Sequence, residues 1–260
     1  MSQKFTFAGI SIDNLPFDSA LARFSSLLDN NYQCYVVTPN AAHIKMLHND
    51  EAFKKAYDKA ELILPDGMSL IFASRLLGNP IVARLTGADL FGEICRIAAE
   101  KQKGIFILGG VNQSEVIAQK KLLTMYPNLL VEAYSPPFGF ELDTNETAKI
   151  VSLINKSGAK ILFICVGSPK SEKWIFEHIN NLCINLGLVF GDSLNFFAGT
   201  KPRAPAWMRK SGLEWFYRLI REPRRLWKRY LFSNLNFLKL LIAEYIKRKT
   251  GLTLISFKQE

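Results

Sequence analysis

The chain has 260 residues, of which 48% are hydrophobic and 22% are charged, and its formal net charge is +10. This composition is sufficient for a buried core and argues against a largely disordered chain. No window approaches the roughly 18 uninterrupted apolar residues of a membrane span, and the N-terminus lacks the basic and apolar regions of a signal peptide.

The excess positive charge lies in the last quarter of the chain. Residues 1–200 contain 18 lysines and arginines against 19 aspartates and glutamates, whereas residues 201–260 contain 15 against 4. We therefore predict an α/β core over residues 1–200 and a basic, aromatic-rich helical appendage over residues 201–260. The four cysteines form no CxxC pair, which indicates buried thiols in a reducing compartment.

Short apolar runs alternate with amphipathic stretches along the core. The runs predict strands at residues 6–12, 34–38, 61–64, 104–108, 129–133, 160–166 and 186–190. The stretches between them predict helices near residues 17–29, 41–57, 69–77, 89–102, 112–125, 144–157 and 169–180. This alternation is typical of a mostly parallel sheet with helices on both faces, so the predicted fold class is α/β and Rossmann-like.

The loops after the strands are the candidate ligand sites, because ligands of parallel sheets bind at the C-terminal ends of the strands. The segment LPDGMSL places Asp66 directly after the third predicted strand. Burial at this position would raise its pKa and suit it to act as a general base, although PDG is also an ordinary turn sequence. Thr38 and Asn40 end the neighbouring strand, where they either line the same cleft or only cap the next helix.

The glycine pair in LGGVNQSEV, Gly109 and Gly110, lies at a predicted strand-to-helix turn. Such a turn can hold a phosphate or nucleotide on its backbone amides, or it can be a tight turn without a ligand. The GxGxxG pattern is absent, which disfavours a nicotinamide or flavin cofactor.

The sequence gives little support for a metal site. The three histidines have no zinc-type spacing, and no DxD pair is present to hold a divalent ion against a sugar-nucleotide diphosphate. We predict neither a metal nor another cofactor. Arginines, lysines and backbone amides would then have to neutralise any bound diphosphate.

The appendage interleaves basic and aromatic residues in GLEWFYRLIREPRRLWKRYL, residues 212–231. One helix is predicted over residues 212–221 and a second from Pro223 to about residue 249. The pattern is compatible with nucleic-acid binding, with an anionic membrane surface, or with a solvated charged face. Tryptophan and tyrosine beside arginine and lysine are favoured at membrane interfaces, whereas a solvated face explains the aromatic residues poorly.

Eight motifs resemble, in order and approximate spacing, those of the WecG/TagA/CpsF glycosyltransferases, glycosyltransferase family 26. They are TPNAAHIKM, ELILPDGMSL, ARLTGADLF, FILGG, PPFGF, VGSPKSEKW, AGTKPRAPAW and GLEWFYRLIREPRRLWKRYL. The similarity extends from about residue 5 to about residue 235.

The resemblance implies an inverting, metal-independent bacterial glycosyltransferase that is peripheral on the inner face of the cytoplasmic membrane. Its implied donor is a UDP-sugar of the N-acetylmannosamine, N-acetylmannosaminuronic acid or glucose class, and its acceptor is a sugar on polyprenyl diphosphate. Relatives build teichoic acid linkage units, enterobacterial common antigen or exopolysaccharide repeats. The further implied partner is an anionic membrane surface, with no nucleic acid expected, and a homo-oligomer is compatible with the resemblance.

The resemblance also assigns roles to residues of this sequence. Asp66 matches the proposed base, Thr38 and Asn40 match pocket residues beside it, and Arg84 matches an arginine near the diphosphate. The arginines matched to a basic group that covers the site and holds the lipid diphosphate are Arg203, Arg218, Arg221, Arg224 and Arg225. The residues matched to nucleotide-binding loops are Gly109, Gly110, Gly167 and Ser168.

Two positions depart from the family pattern. Ser171 stands where members commonly have glutamine, and Asn195 stands where they commonly have aspartate. Both positions are expected to face the nucleotide sugar, so the donor pocket is expected to be altered and the sequence leaves the donor open. The main alternative function is a nucleic-acid-binding protein that uses the basic appendage, and a dehydrogenase or methyltransferase is a more distant one.

Overall fold

The computed structural model describes residues 4–30 and 32–250, apart from the side chains of residues 225, 229 and 231. The strands are β1 (Lys4–Phe7), β2 (Ile10–Asp13), β3 (Cys34–Val37), β4 (Leu62–Ile63), β5 (Ile105–Leu108), β6 (Val131–Tyr134), β7 (Ile161–Ile164) and β8 (Leu186–Val189). The helices of the core are α1 (Phe17–Asp29), α2 (Ala41–Asn49), α3 (Glu51–Asp58), α4 (Met68–Leu76), α5 (Gly87–Glu100), α6 (Ser114–Met125), α7 (Thr144–Ser157), α8 (Lys170–His178) and α9 (Ser193–Ala198).

The main sheet has six parallel strands in the order β4-β3-β8-β7-β5-β6, which confirms the predicted α/β, Rossmann-like class. The four central strands are buried at every position, as expected for continuous apolar runs covered on both faces. One hydrophobic core includes side chains from α2, α3, α7 and α8, and the other includes side chains from α1, α5, α6 and α9.

The predicted single strand over residues 6–12 is wrong, because this segment forms the antiparallel hairpin of β1 and β2. Ala8 and Gly9 adopt left-handed φ angles of 51° and 82°, and two such residues are the requirement of a tight type I′ hairpin turn. The hairpin is fastened to the main sheet by Asp13, whose Oδ2 accepts a hydrogen bond of 2.9 Å from the Ile63 backbone N–H.

The predicted continuous helix over residues 41–57 is also wrong, because the chain breaks between α2 and α3 at Asp50. Asp50 is extended, with φ −142°, and its Oδ1 accepts a hydrogen bond of 3.0 Å from the Phe53 backbone N–H. The aspartate thus satisfies a free amide at the start of α3, which favours a new helix over continuation of the old one.

The four cysteines are free thiols, in agreement with the absence of predicted disulfides. Cys34 and Cys95 are buried and Cys165 is half-buried, but Cys183 is exposed, so the prediction of buried thiols is wrong at that position.

The appendage consists of α10 (Ala206–Lys210), α11 (Glu214–Arg221) and α12 (Pro223–Thr250), which confirms the predicted helix break before Pro223. α12 packs on the core through Phe237 and Leu241, which are buried, and the Phe237 ring centroid lies 5.2 Å from that of Phe7. The boundary at residue 200 therefore stays a prediction. Among the described helices, none is long and apolar enough to cross a membrane.

Candidate functional site

The loops after β3 and β4 meet at Asp66. The Asp66 backbone N–H donates a hydrogen bond of 3.2 Å to the Pro39 carbonyl, which joins the two loops. A methyl group added at Gly67 would lie 3.1 Å from the Asn40 Cβ atom, so glycine allows this close approach. The structure thus brings Asp66 and Asn40 together at the C-terminal edge of the sheet, as the sequence predicted.

Thr38 and Asn40 both have structural hydrogen bonds at this edge. Thr38 Oγ1 donates to the Val189 carbonyl at 3.2 Å, which ties the end of β3 to β8. Asn40 Oδ1 accepts from the Ala42 backbone N–H at 3.0 Å and caps α2. The helix-capping interpretation is confirmed for Asn40, and the role of either residue towards a substrate stays a prediction.

The carboxyl group of Asp66 has a perturbed acidity. Burial raises its pKa to about 6, and the carboxylates of Glu214 and Asp89 act in the same direction. Arg84 and Arg218 oppose this shift because their positive charges stabilise the ionised form. A carboxylate with a pKa near neutrality and cations beside it is suited to accept a proton from a bound hydroxyl group.

A chain of alternating charges connects the core to the appendage beside Asp66. Arg84 Nη2 lies 3.2 Å from Glu214 Oε2, and Arg203 Nε lies 3.2 Å from Glu214 Oε1. Arg203 continues the chain to Asp89, with Nη2 at 2.8 Å from Oδ1, and Arg209 Nη1 lies 3.5 Å from the same oxygen. The structure therefore joins the predicted Arg84 and Arg203 through Glu214, and Asp89 joins Arg203 to Arg209.

Replacement of Glu214 with alanine is expected to destabilise the protein by about 2–4 kcal/mol. Glu214 is buried, and its removal would leave Arg84 and Arg203 near each other without the carboxylate between them. Urea-induced unfolding of the wild-type protein and of the Glu214→Ala variant would measure the difference in their free energies of unfolding. Glu93→Ala, which removes an exposed carboxylate paired with Arg96, serves as the matched control and should change stability by less than about 0.5 kcal/mol. Equal effects of the two substitutions would contradict a structural role of Glu214.

A second ionic cluster fixes α11 against the loop after β8. Arg218 Nη2 lies 2.5 Å from Asp192 Oδ2, and its guanidinium carbon lies 5.6 Å from the centroid of the Phe196 ring. The other carboxylate oxygen of Asp192 accepts from Asn195 Nδ2 at 3.1 Å and lies 3.2 Å from Lys201 Nζ. Arg218 is thereby held where it acts on the Asp66 carboxyl group.

The remaining predicted arginines lie outside these two clusters. Arg221 is exposed, with its guanidinium carbon 5.5 Å from the centroid of the Tyr217 ring, and Arg224 is exposed. Neither has a salt bridge with a carboxylate in the described part of the chain. The side chain of Arg225 lies outside the described residues. The predicted roles of these three arginines in lipid diphosphate binding stay predictions.

The predicted nucleotide loops lie side by side because β5 and β7 are neighbours in the sheet. Gly109 has a φ of 96°, and a methyl group there would lie 2.6 Å from Val166 Cγ1. Gly167, with a φ of 90°, faces open space. Ser168 Oγ is buried, and the described residues provide it with no hydrogen-bond partner. An unpaired buried hydroxyl in this loop indicates a place where a ligand oxygen can bind.

Gly110 adopts a φ of 140°, and a methyl group there would lie 2.4 Å from Glu115 Oε2. Glycine is therefore required at this turn for the packing of the chain itself, whether or not a phosphate binds. The structure is compatible with both interpretations that the sequence left open.

The two positions that depart from the family pattern are turned inward. Ser171 is fully buried, and its Oγ donates to the Gly167 carbonyl at 3.1 Å. Asn195 is buried as well, bonded to Asp192, and its Oδ1 has no hydrogen-bond partner among the described residues. Both side chains support loops at the edge of the sheet, and their effect on a donor stays a prediction.

No group of three or more histidine, cysteine, aspartate or glutamate side chains that could hold a metal ion occurs within residues 4–30 and 32–250. The site is instead rich in arginine. It combines one carboxyl group of raised pKa, cations from both the core and the appendage, and a glycine-rich edge with a buried free hydroxyl. Such a set can activate a hydroxyl nucleophile and stabilise a departing anionic group.

Comparison with known proteins supplies the substrate chemistry of similar chains. The model of the glycosyl transferase WecG/TagA/CpsF family matches residues 5–251. The N-acetylglucosaminyldiphosphoundecaprenol N-acetyl-beta-D-mannosaminyltransferase of Bacillus subtilis (strain 168) is 32% identical over 229 residues, covering 85% of this chain and 86% of the relative. The enzyme of the same name from Staphylococcus aureus (strain MW2) is 28% identical over 226 residues, covering 86% and 87%.

Proposed function

The chain belongs to the WecG/TagA/CpsF glycosyltransferase family, and on that premise we propose that it transfers a sugar from a UDP-sugar to a sugar carried on polyprenyl diphosphate. The observation that carries this proposal is the raised pKa of Asp66 beside Arg84 and Arg218. Enzymatic sugar transfer to a hydroxyl group needs a base for the acceptor and positive charge for the leaving diphosphate.

In the proposed reaction, Asp66 removes the proton from the acceptor hydroxyl group. The acceptor oxygen forms a bond to the anomeric carbon while the bond from that carbon to the UDP oxygen breaks, and UDP leaves with the electron pair. A single displacement of this kind inverts the anomeric centre. Arginines and the amides of the glycine-rich loops neutralise the charge of the diphosphate, so the proposed mechanism includes no metal ion.

The acceptor proposed first is N-acetylglucosaminyl diphosphoundecaprenol, and the donor proposed first is UDP-N-acetylmannosamine, since both relatives are named for this transfer. The uronic acid of N-acetylmannosamine and glucose are the other donor sugars proposed. Ser171 and Asn195 support the loops that would surround the donor, which is why the donor class is proposed more broadly than the names of the relatives.

The proposed location is the inner face of the bacterial cytoplasmic membrane, with the appendage as the contact. Leu235, Leu238, Ile242 and Tyr245 are exposed on α12 at the spacing of one helix face. Trp215 and Phe216 are exposed on α11, and such aromatic side chains favour the membrane interface. The ion pairs of Arg203 and Arg218 with carboxylates of the site support this function over nucleic-acid binding.

A panel of UDP-sugars, each incubated with polyprenyl-diphosphate N-acetylglucosamine or glucose, tests the function directly. Mass spectrometry is expected to show addition of one N-acetylhexosamine with UDP-N-acetylmannosamine, and NMR of the product to show inversion. Activity should persist in excess EDTA. Absence of lipid-linked product with every combination would contradict the proposed function, and loss of activity in EDTA would contradict only its metal independence.

A further inference from the structure

A groove separates α4 from α10 on the side of the site away from the glycine-rich loops. This α4–α10 groove has a volume of about 370 Å³, and its lining includes Met68, Arg75, Val82, Arg84, Arg209 and Lys210. Its volume is within the range of small-ligand sites. None of the residues predicted from the sequence lines it except Arg84.

The groove carries more positive charge than the protein neutralises. Arg75 and Lys210 are exposed, and no salt bridge joins either of them to a carboxylate in the described part of the chain. Arg209 shares Asp89 with Arg203, and its Nε is buried without a hydrogen-bond partner among the described residues. A buried, unsatisfied guanidinium donor beside two free cations indicates an anionic ligand with several oxygen atoms.

An apolar surface adjoins these cations. The exposed fractions of Phe72, Leu76 and Val82 are 58%, 55% and 64%. Phe72 and Leu76 are one turn apart on α4, on the side of that helix that includes Met68 and Arg75. The ligand that fits both surfaces is therefore an amphiphile, with an anionic group for the cations and a hydrocarbon part for the apolar side chains.

The groove shares two of its lining residues with the surroundings of the candidate base. Met68 follows Asp66 by two residues, and Arg84 and Asp89 line the groove while also acting on the Asp66 carboxyl group. An acceptor whose sugar hydroxyl group reaches Asp66 would therefore have its diphosphate and lipid within reach of this groove. Arg75 and Lys210 lie on α4 and α10, so they are distinct from the arginines of α11 and α12.

We propose that the α4–α10 groove binds the diphosphate and the first isoprene units of the lipid-linked acceptor. Arg75, Arg209 and Lys210 contact the diphosphate, and Phe72, Leu76 and Val82 contact the lipid. This inference rests on the proposed function, because it assumes a polyprenyl-diphosphate acceptor.

Arg75→Ala, Lys210→Ala and the double variant of the full chain test the diphosphate contacts. Each single substitution is expected to raise the KM for a lipid-linked acceptor about tenfold, because a charge-assisted hydrogen bond to the diphosphate is lost. The KM for the UDP-sugar should stay within about twofold of the wild-type value. Lys55→Ala, which removes an exposed lysine on α3, is the matched control and should leave both constants unchanged.

The lipid contacts are tested with acceptors that carry the same sugar diphosphate on a short, water-soluble chain or on a long polyprenyl chain. The wild-type KM is expected to fall at least about tenfold with the long chain. In the Phe72→Ser, Leu76→Ser double variant, the KM for the long-chain acceptor should rise close to the KM for the short acceptor. The KM for the short acceptor should equal that of the wild type. Leu142→Ser, at a residue that is 88% exposed on another surface, is the control.

The outcomes separate this inference from the proposed function. If the wild-type enzyme glycosylates no lipid-linked acceptor, the proposed function is wrong. If it does so and the variants keep the wild-type acceptor KM, only the groove assignment is wrong. If the Arg75→Ala and Lys210→Ala variants lose binding to anionic phospholipid vesicles but keep the wild-type KM for the short acceptor, the groove binds membrane headgroups and the assignment is also wrong. Unchanged thermal midpoints would establish that the variants are folded.

Discussion

Replacement of Asp66 with asparagine is expected to lower kcat by about 10² to 10⁴. Asparagine keeps the size and the hydrogen-bonding capacity of the side chain but cannot accept the proton of the acceptor hydroxyl group, and a general base contributes a rate factor of this order. Binding of UDP, measured by calorimetry, should be retained because the glycine-rich loops are unchanged. Asp58→Asn, at an exposed aspartate of α3, is the matched control.

The same substitution is expected to increase stability at neutral pH. The folded-state pKa of Asp66, about 6, lies above its ordinary value of 3.8, so between these values the unfolded chain has released a proton that the folded protein retains. Stability therefore falls as pH rises through this window, and the loss persists above pH 6. Asp66→Asn removes this pH-dependent loss of stability. The free energy of unfolding of the variant should therefore exceed that of the wild type by at most about 3 kcal/mol at pH 8 and should be nearly equal to it at pH 4.

Activity should depend on pH in the opposite direction, because the base must be ionised. The wild-type kcat/KM is expected to decrease below about pH 6, where Asp66 becomes protonated. Near-normal turnover in Asp66→Asn would remove Asp66 from the role of base. A variant that is both inactive and less stable would instead point to a structural role for the carboxyl group.

Replacement of Arg218 with alanine is expected to lower kcat/KM by about 10² to 10³, the usual effect of removing one donor that stabilises developing negative charge. The substitution breaks the ion pair with Asp192 that fixes α11 to the loop after β8. It also removes a positive charge that lowers the pKa of Asp66, so the acidic limb of the pH profile should move to higher pH. Steady-state kinetics between about pH 5 and pH 9 would measure both effects.

A second variant and a control test whether the positive charge of Arg218 or its planar guanidinium group is responsible for the expected loss of kcat/KM. Arg218→Lys preserves the positive charge but not the planar guanidinium group. The acidic limb of its pH profile should therefore lie near that of the wild type, whereas its kcat/KM should stay reduced. Arg96→Ala, at an exposed arginine paired with Glu93 and Glu100 on α5, should leave the kinetics unchanged. An Arg218→Ala enzyme with wild-type kcat/KM and pH profile would exclude the proposed contribution of this arginine.

The sequence predicted the central sheet well because its strands are short, continuous apolar runs between helices. β3, β5, β7 and β8 lie within the predicted ranges, and each is buried throughout. The hairpin of β1 and β2 was missed because apolar and polar residues alternate on both sides of the turn, and Ala8 is not a residue that predicts a left-handed turn. The break at Asp50 was missed because apolar residues at helical spacing continue on both sides of it.

The candidate site was predictable where one residue sits in a recognisable local motif. Asp66 after β4 and the glycines after β5 and β7 are of this kind, since a strand followed by a turn places them at the edge of the sheet. Glu214 and Asp192 were not predicted, because their importance arises from contacts with arginines distant in the chain. Glu214 pairs with Arg84, 130 positions away, and a glutamate in a basic helix has no local pattern that reveals such a partner.

The sequence by itself determined the parallel α/β class, the family, the basic helical appendage and the identity of the candidate base, because these depend on periodicity, composition and local motifs. Only the tertiary structure decided which charges meet. It placed Arg84, Arg203 and Arg218 in ion-paired clusters with carboxylates, left Arg75 and Lys210 beside a groove, and packed α12 on α2 and the hairpin. The physical reason is that ion pairing and burial depend on distances through space, which strand order and helix packing set, whereas spacing along the chain does not.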